Sequence, residues 1–138
     1  MQHSKPILLV EDDTVDVMTV KRVLKDIQVT SELVQAGDGE QALAYLRDDG
    51  NAKPCIILLD LNMPKMNGIE FMRIVKADEA LQRIPIVVLT TSNSDQDISK
   101  SFELGAAGYM LKSVDYKKFV EIIKTIDLYW TLSRLPFN

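Results

Sequence analysis

Five short strand-like runs alternate with segments whose apolar residues recur at helical spacing, and few architectures accept that pattern. Three of the runs, Pro6 to Val10, Cys55 to Leu59 and Ile84 to Leu89, are apolar throughout rather than at alternate positions. Strands of that kind are covered on both faces, as in a parallel sheet with helices above and below. Thr30 to Ala36 and Tyr109 to Leu111 read as the second and fifth strands. Between them, Val17, Val20, Leu24 and Ile27 mark a first helix, and Ala42, Leu43 and Leu46 a second that follows the turn Gly37-Asp38-Gly39. Ile69 to Ala77 carries Met72 and Val75 on one face, and Ser94 or Asp95 caps a short helix reaching about Leu104. A last helix, Tyr116 to about Trp130, aligns Phe119, Ile122, Ile123, Ile126 and Trp130. The expected fold is α/β, a doubly wound five-stranded parallel sheet.

With 138 residues and 46% hydrophobic content, the chain suits one domain, 1–138, in which 131–138 is a tail containing Pro136. Its formal charge of -4 and scattered lysines and arginines argue against direct DNA binding. No apolar stretch reaches membrane-spanning length, Met1 to Lys5 lacks a signal-peptide core, and Cys55 reads as a buried small hydrophobe. A cytoplasmic location is expected.

Chemistry gathers at the strand ends. The third run stops at Asp60 and the first at Glu11-Asp12-Asp13. In open parallel sheets ligands sit outside the carboxyl ends of the strands, so these acids share one rim. Their mutual repulsion calls for a counter-charge, and a hard divalent cation, Mg²⁺ or Mn²⁺, supplies it through oxygen ligands. The fourth run ends at Thr90 and the fifth at Lys112. A carboxylate nucleophile, a cation, a hydroxyl and an ammonium are the parts that phosphoryl transfer to aspartate uses. Asp13 reads as a cap for the first helix or a charge facing water.

Over nearly its whole length the chain resembles the response-regulator receiver domains, the CheY-like family of two-component signalling, with their (βα)5 flavodoxin-like fold. The resemblance makes Asp60, within Leu59-Asp60-Leu61-Asn62-Met63-Pro64, the phosphoacceptor. It makes Glu11 and Asp12 the metal-binding pair, Asp12 directly and Glu11 through water, and the backbone carbonyl of Asn62 a further metal contact. Thr90 corresponds to the switch hydroxyl, Lys112 to the phosphate-pairing lysine and Tyr109 to the aromatic switch residue. The family pattern has proline after the lysine, often with a cis peptide, whereas Ser113 stands here. A cis bond before a non-proline residue costs about 2.5 to 4 kcal/mol, so either that loop relaxes to trans or the surrounding fold enforces the strain.

Glu11-Asp12-Asp13 with Asp16, Ile84 to Ser92, and Tyr129-Trp130 ahead of Leu135-Pro136 are similar to single-domain regulators paired with phytochromes. That resemblance implies a phytochrome-type sensor histidine kinase as partner. It also implies a homodimer through the last helix and adjoining surface or the C-terminal tail, where Tyr129, Trp130, Leu132, Leu135 and Phe137 are apolar. The expected function is acceptance of a phosphoryl group on Asp60 and signalling by a change of surface, with the protein promoting its own Mg-dependent phosphorylation and dephosphorylation.

Three alternatives are weaker. An aspartyl-nucleophile hydrolase needs an acid two residues after the nucleophile, where this chain has Asn62. A flavodoxin-like cofactor site needs a glycine- and hydroxyl-rich loop after the first strand, and Glu11-Asp12-Asp13 repels a phosphate there. A phosphorylation-independent scaffold of the same fold leaves the rim chemistry unexplained.

Overall fold

Within Ile7–Val10 (β1), Leu8 and Val10 face one apolar layer while Ile7 and Leu9 face another. The same alternation holds in Ile56–Leu59 (β3), where Ile57 and Leu59 share the first layer and Ile56 and Leu58 the second. Each face must therefore be covered, which is why no position in these strands is polar. The computed structural model describes residues 5–29, 31–112, 117–118 and 120–125.

The remaining elements are Thr14–Asp26 (α1), Leu33–Ala36 (β2), Gly39–Arg47 (α2), Gly68–Ala77 (α3), Ile86–Thr90 (β4), Asp95–Glu103 (α4) and Gly108–Leu111 (β5). Residues 117, 118 and 120–125 are also helical. All strand pairs are parallel and the order is β2-β1-β3-β4-β5, so the winding direction reverses at β1 and β3. Helices α2 and α3 cover one face through Leu43, Leu46, Phe71, Met72 and Val75, whereas α1 covers the other through Val17, Val20, Val23 and Leu24, joined by Ile123.

Side chains that reach back to free backbone N–H groups set where the helices begin. Asp13 accepts from the amides of Val15 and Asp16, Asp38 from Gln41, Asn67 from Glu70 and Ser94 from Asp97. Ser94 is thus the cap of α4, and Asp95 is its first residue.

Several boundaries differ from the sequence expectation. Strand β2 begins at Leu33 rather than Thr30, which lies outside the described residues. Strand β4 runs Ile86–Thr90 rather than from Ile84, because the amide of Ile84 closes a turn onto the Leu81 carbonyl before Pro85. Ser113, Tyr116, Phe119, Ile126, Tyr129, Trp130 and the tail lie outside the described residues, and with them the peptide after Lys112. Among the described residues no helix is long and apolar enough to cross a membrane.

Candidate functional site

Because Val10 pairs with Leu59, Glu11 and Asp60 leave the sheet side by side. The Asp60 amide donates to the Val10 carbonyl at 3.0 Å, and the Glu11 amide to the Ala36 carbonyl at 2.9 Å, so both backbones are held to the rim. Their side chains stay buried, while the neighbouring Asp12 is exposed. Carboxylate oxygens of Glu11, Asp12 and Asp60 lie within 4.8 Å of one another. Three hard anionic donors so close fit a divalent cation of the Mg²⁺ or Mn²⁺ type.

The chain after Asp60 folds over its own carboxylate. The amide of Asn62 donates to Asp60 Oδ1 at 3.3 Å, and Asn62 with Asp12 lines an open cleft of about 490 Å³ that also touches Asn67 and Asp97. Gly68 then packs directly under the site. A Cβ there would lie 2.6 Å from the Asp60 carbonyl oxygen and 2.7 Å from Leu61 Cα, both backbone atoms.

On the other side of Asp60 stand the ends of β4 and β5. Thr90 is fully buried, and its carbonyl accepts from the Lys112 amide at 2.7 Å. Its hydroxyl Oγ1 accepts from the Ser92 amide at 3.3 Å. Tyr109 is half-buried and donates its OH to the Ser92 carbonyl at 2.8 Å, while Ser92 Oγ donates to Asp97 Oδ2 at 2.6 Å. Ser92 therefore links the Thr90 hydroxyl, the Tyr109 ring and the first turn of α4.

Lys112 Nζ lies 2.5 Å from Glu11 Oε1, 2.7 Å from Asp16 Oδ2 and 3.5 Å from Asp60 Oδ2. Burial works against the charge on this lysine. Hydrogen bonds to Asp16 and Glu11, and the charges of Glu11 and Asp60, outweigh that effect and hold its pKa above the ordinary lysine range. For Glu11, burial dominates over the Lys112 hydrogen bond, and its pKa is pushed up to about 7.

The structure thus brings Glu11, Asp12, Asp60, Asn62, Thr90 and Lys112 to one rim, with Tyr109 joined to it through Ser92. Asp13 points its carboxylate at the α1 amides rather than at the cluster. Sequence reading had not foreseen that Gly68, Ser92, Asp97 or the Asp16 carboxylate takes part. Asp16 stood only in a pattern of resemblance, and its contact with Lys112 spans 96 positions of chain.

A parallel sheet with this order, and acids, a hydroxyl and a lysine at its carboxyl rim, belongs to the class of phosphoacceptor modules. Residues 7–124 match the response regulator receiver domain, and the chain belongs to that family. It is 40% identical over 130 residues to the response regulator Rcp1 of Synechocystis sp., covering 91% of this chain and 88% of that one. Among solved structures, the phosphorylated cyanobacterial phytochrome response regulator RcpA superposes with a TM-score of 0.90 at 39% identity, covering 97% of this chain and 99% of that one. The Mn²⁺-bound form of Rcp1 gives 0.88 at 39% identity, covering 96% and 99%. The chain is therefore a two-component response regulator akin to the phytochrome-associated ones.

Proposed function

We propose that this receiver takes a phosphoryl group from the phosphohistidine of a phytochrome-type sensor kinase onto Asp60. The observation that carries the reading is the buried Asp60 carboxylate, with oxygens of Glu11 and Asp12 within 4.8 Å and Lys112 Nζ at 3.5 Å. In the transfer, an Asp60 oxygen forms a bond to phosphorus as the phosphorus–nitrogen bond breaks, and the electron pair leaves with the imidazole of the kinase. Asp12, Asp60 and the Asn62 carbonyl would hold Mg²⁺ directly, with Glu11 acting through water. Bound there, the cation neutralises charge that develops on the phosphoryl oxygens.

Lys112 and the Thr90 hydroxyl take the remaining phosphoryl oxygens. Moving toward them takes the Thr90 hydroxyl away from the Ser92 amide, and Tyr109 turns inward. That repacks the face made by α4, β5 and the last helix and shifts an equilibrium between two arrangements. The chain acts as a phosphoacceptor that also promotes its own loss of phosphate. Phe102 on α4 and Leu111 on β5 are 51% and 42% exposed, which supports pairing of two copies on this face or through the tail.

Asp60→Asn should abolish labelling by acetyl phosphate in the presence of Mg²⁺, and full labelling of that variant would overturn the assignment. For the pairing, sedimentation of the full chain against a truncation after Trp130 should show a dimer that the truncation weakens. Monomers in both samples would exclude it.

A further inference from the structure

We propose that Asp16 is a positioning residue that holds Lys112 back from the phosphoryl group and so limits how firmly the phosphorylated state is held. The inference rests on the reading of Asp60 as phosphoacceptor. A lysine ammonium has three N–H donors. Here they face Glu11 at 2.5 Å, Asp16 at 2.7 Å and Asp60 at 3.5 Å, so the carboxylate to be phosphorylated is the most distant of the three. The backbone of Lys112 is fixed by its bond to the Thr90 carbonyl, so changing partners is a matter for the side chain alone.

The three acids are not equivalent. Glu11 and Asp60 belong to the cluster that suits a cation, whereas Asp16 does not. A cation on that cluster offsets the charge of Glu11 and Asp60 and weakens their pull on Lys112, leaving the pull of Asp16 undiminished. Asp16 also has a fixed seat. Its amide is held by Asp13 Oδ1 at 3.2 Å, and it occupies the first turn of α1, where the helix dipole favours a negative charge. Its side chain is 36% exposed, so water can take over its hydrogen bonds when the lysine leaves. Asp16 therefore competes for Lys112 without blocking its release, and its charge repels an incoming phosphoryl group.

The test uses beryllium fluoride with Mg²⁺ as the phosphoryl mimic on the full chain. Asp16→Asn should bind it roughly 1.5- to fivefold more tightly than wild type, the range set by loss of one partly exposed charge pair. Asp16→Glu, which restores the charge, should bind close to wild type. A merely structural role would lower the melting temperature of Asp16→Asn without tightening the mimic. In ¹⁵N NMR of the Lys112 side chain, Asp16→Asn should move the ammonium resonance and lower its pKa. Should Asn fail to fold, Asp16→Ser keeps a residue suited to a helix's first turn and makes the same comparison. Equal or weaker binding by the folded neutral variant overturns the proposal. Absence of Mg²⁺-dependent binding by wild type, with an unperturbed Asp60, overturns the phosphoacceptor reading itself and the role of Asp16 with it.

Discussion

Gly68 shows how one missing side chain permits the site. Asp60 must lie at the end of β3 while the chain turns through Pro64 and Asn67 into α3, which brings the α3 start against the Asp60 backbone. The Gly68 amide donates to the Leu61 carbonyl at 3.0 Å, so the two segments touch with nothing between them. Gly68→Ala places a methyl 2.6 Å from a backbone oxygen, and neither side of that contact is a flexible chain end. The expected result is a loss of about 1–3 kcal/mol in urea denaturation, typical of overpacking, together with slower labelling of Asp60 by acetyl phosphate. Unchanged stability and labelling would mean that α3 shifts freely. The contact of Gly68 with Asp60 was not legible in the sequence, since it depends on where α3 packs.

At the scale of elements, the loop between β4 and α4 is thinly covered, with Thr91, Asn93 and Ser94 exposed and Ser92 half-buried. Ser101 is the one described residue of α4 that is buried, and the start of the helix is fixed by the Ser94 cap and by the bond from Ser92 to Asp97. Tyr109→Phe removes the bond to the Ser92 carbonyl while keeping the ring. It should cost about 1 kcal/mol and speed hydrogen exchange at the amides of Ser92 and Ser94, read by mass spectrometry or NMR. Exchange there equal to wild type would show that the Tyr109 bond does not restrain the loop. The buried central strands could be read as unbroken apolar runs. The edge strand β2, with one buried residue, and the thinly covered α4 gave weaker signals, and β2 and β4 moved by two or more residues at their starts.

For the whole molecule, the shared charges predict a pH dependence whose sign follows from Glu11. Its folded pKa near 7 lies above the ordinary value of 4.5, so between those values the folded protein keeps a proton that the unfolded chain releases. Its contribution to stability is complete below about pH 4.5 and is lost as pH rises through about 7. Lys112 is shifted upward from a higher starting value, so its own contribution stays constant across that window. Without metal, unfolding free energy measured in urea should fall over this interval by an amount on the order of 1–3 kcal/mol, and Glu11→Gln should remove the fall. Added Mg²⁺ should raise the melting temperature more at pH 8 than at pH 5.5, because binding requires the charged carboxylates. A larger rise at pH 5.5 would contradict the shift assigned to Glu11.

The layered parallel sheet and the chemistry of its rim follow from the order of residues along the chain, because both are local properties. An apolar run demands cover on both faces, and the residue that ends it is presented at the sheet's edge. Asp60, Glu11, Asp12, Thr90 and Lys112 could all be named on that ground. How those groups share their charges is set by packing. Lys112 meets Glu11 and Asp16 across 101 and 96 positions of chain, and Ser92 is bonded to Tyr109 across 17. Such contacts depend on strand order and on the exact seat of α1 and α4 against the rim. No run or spacing records them, since the chain between the partners is long enough to lead almost anywhere.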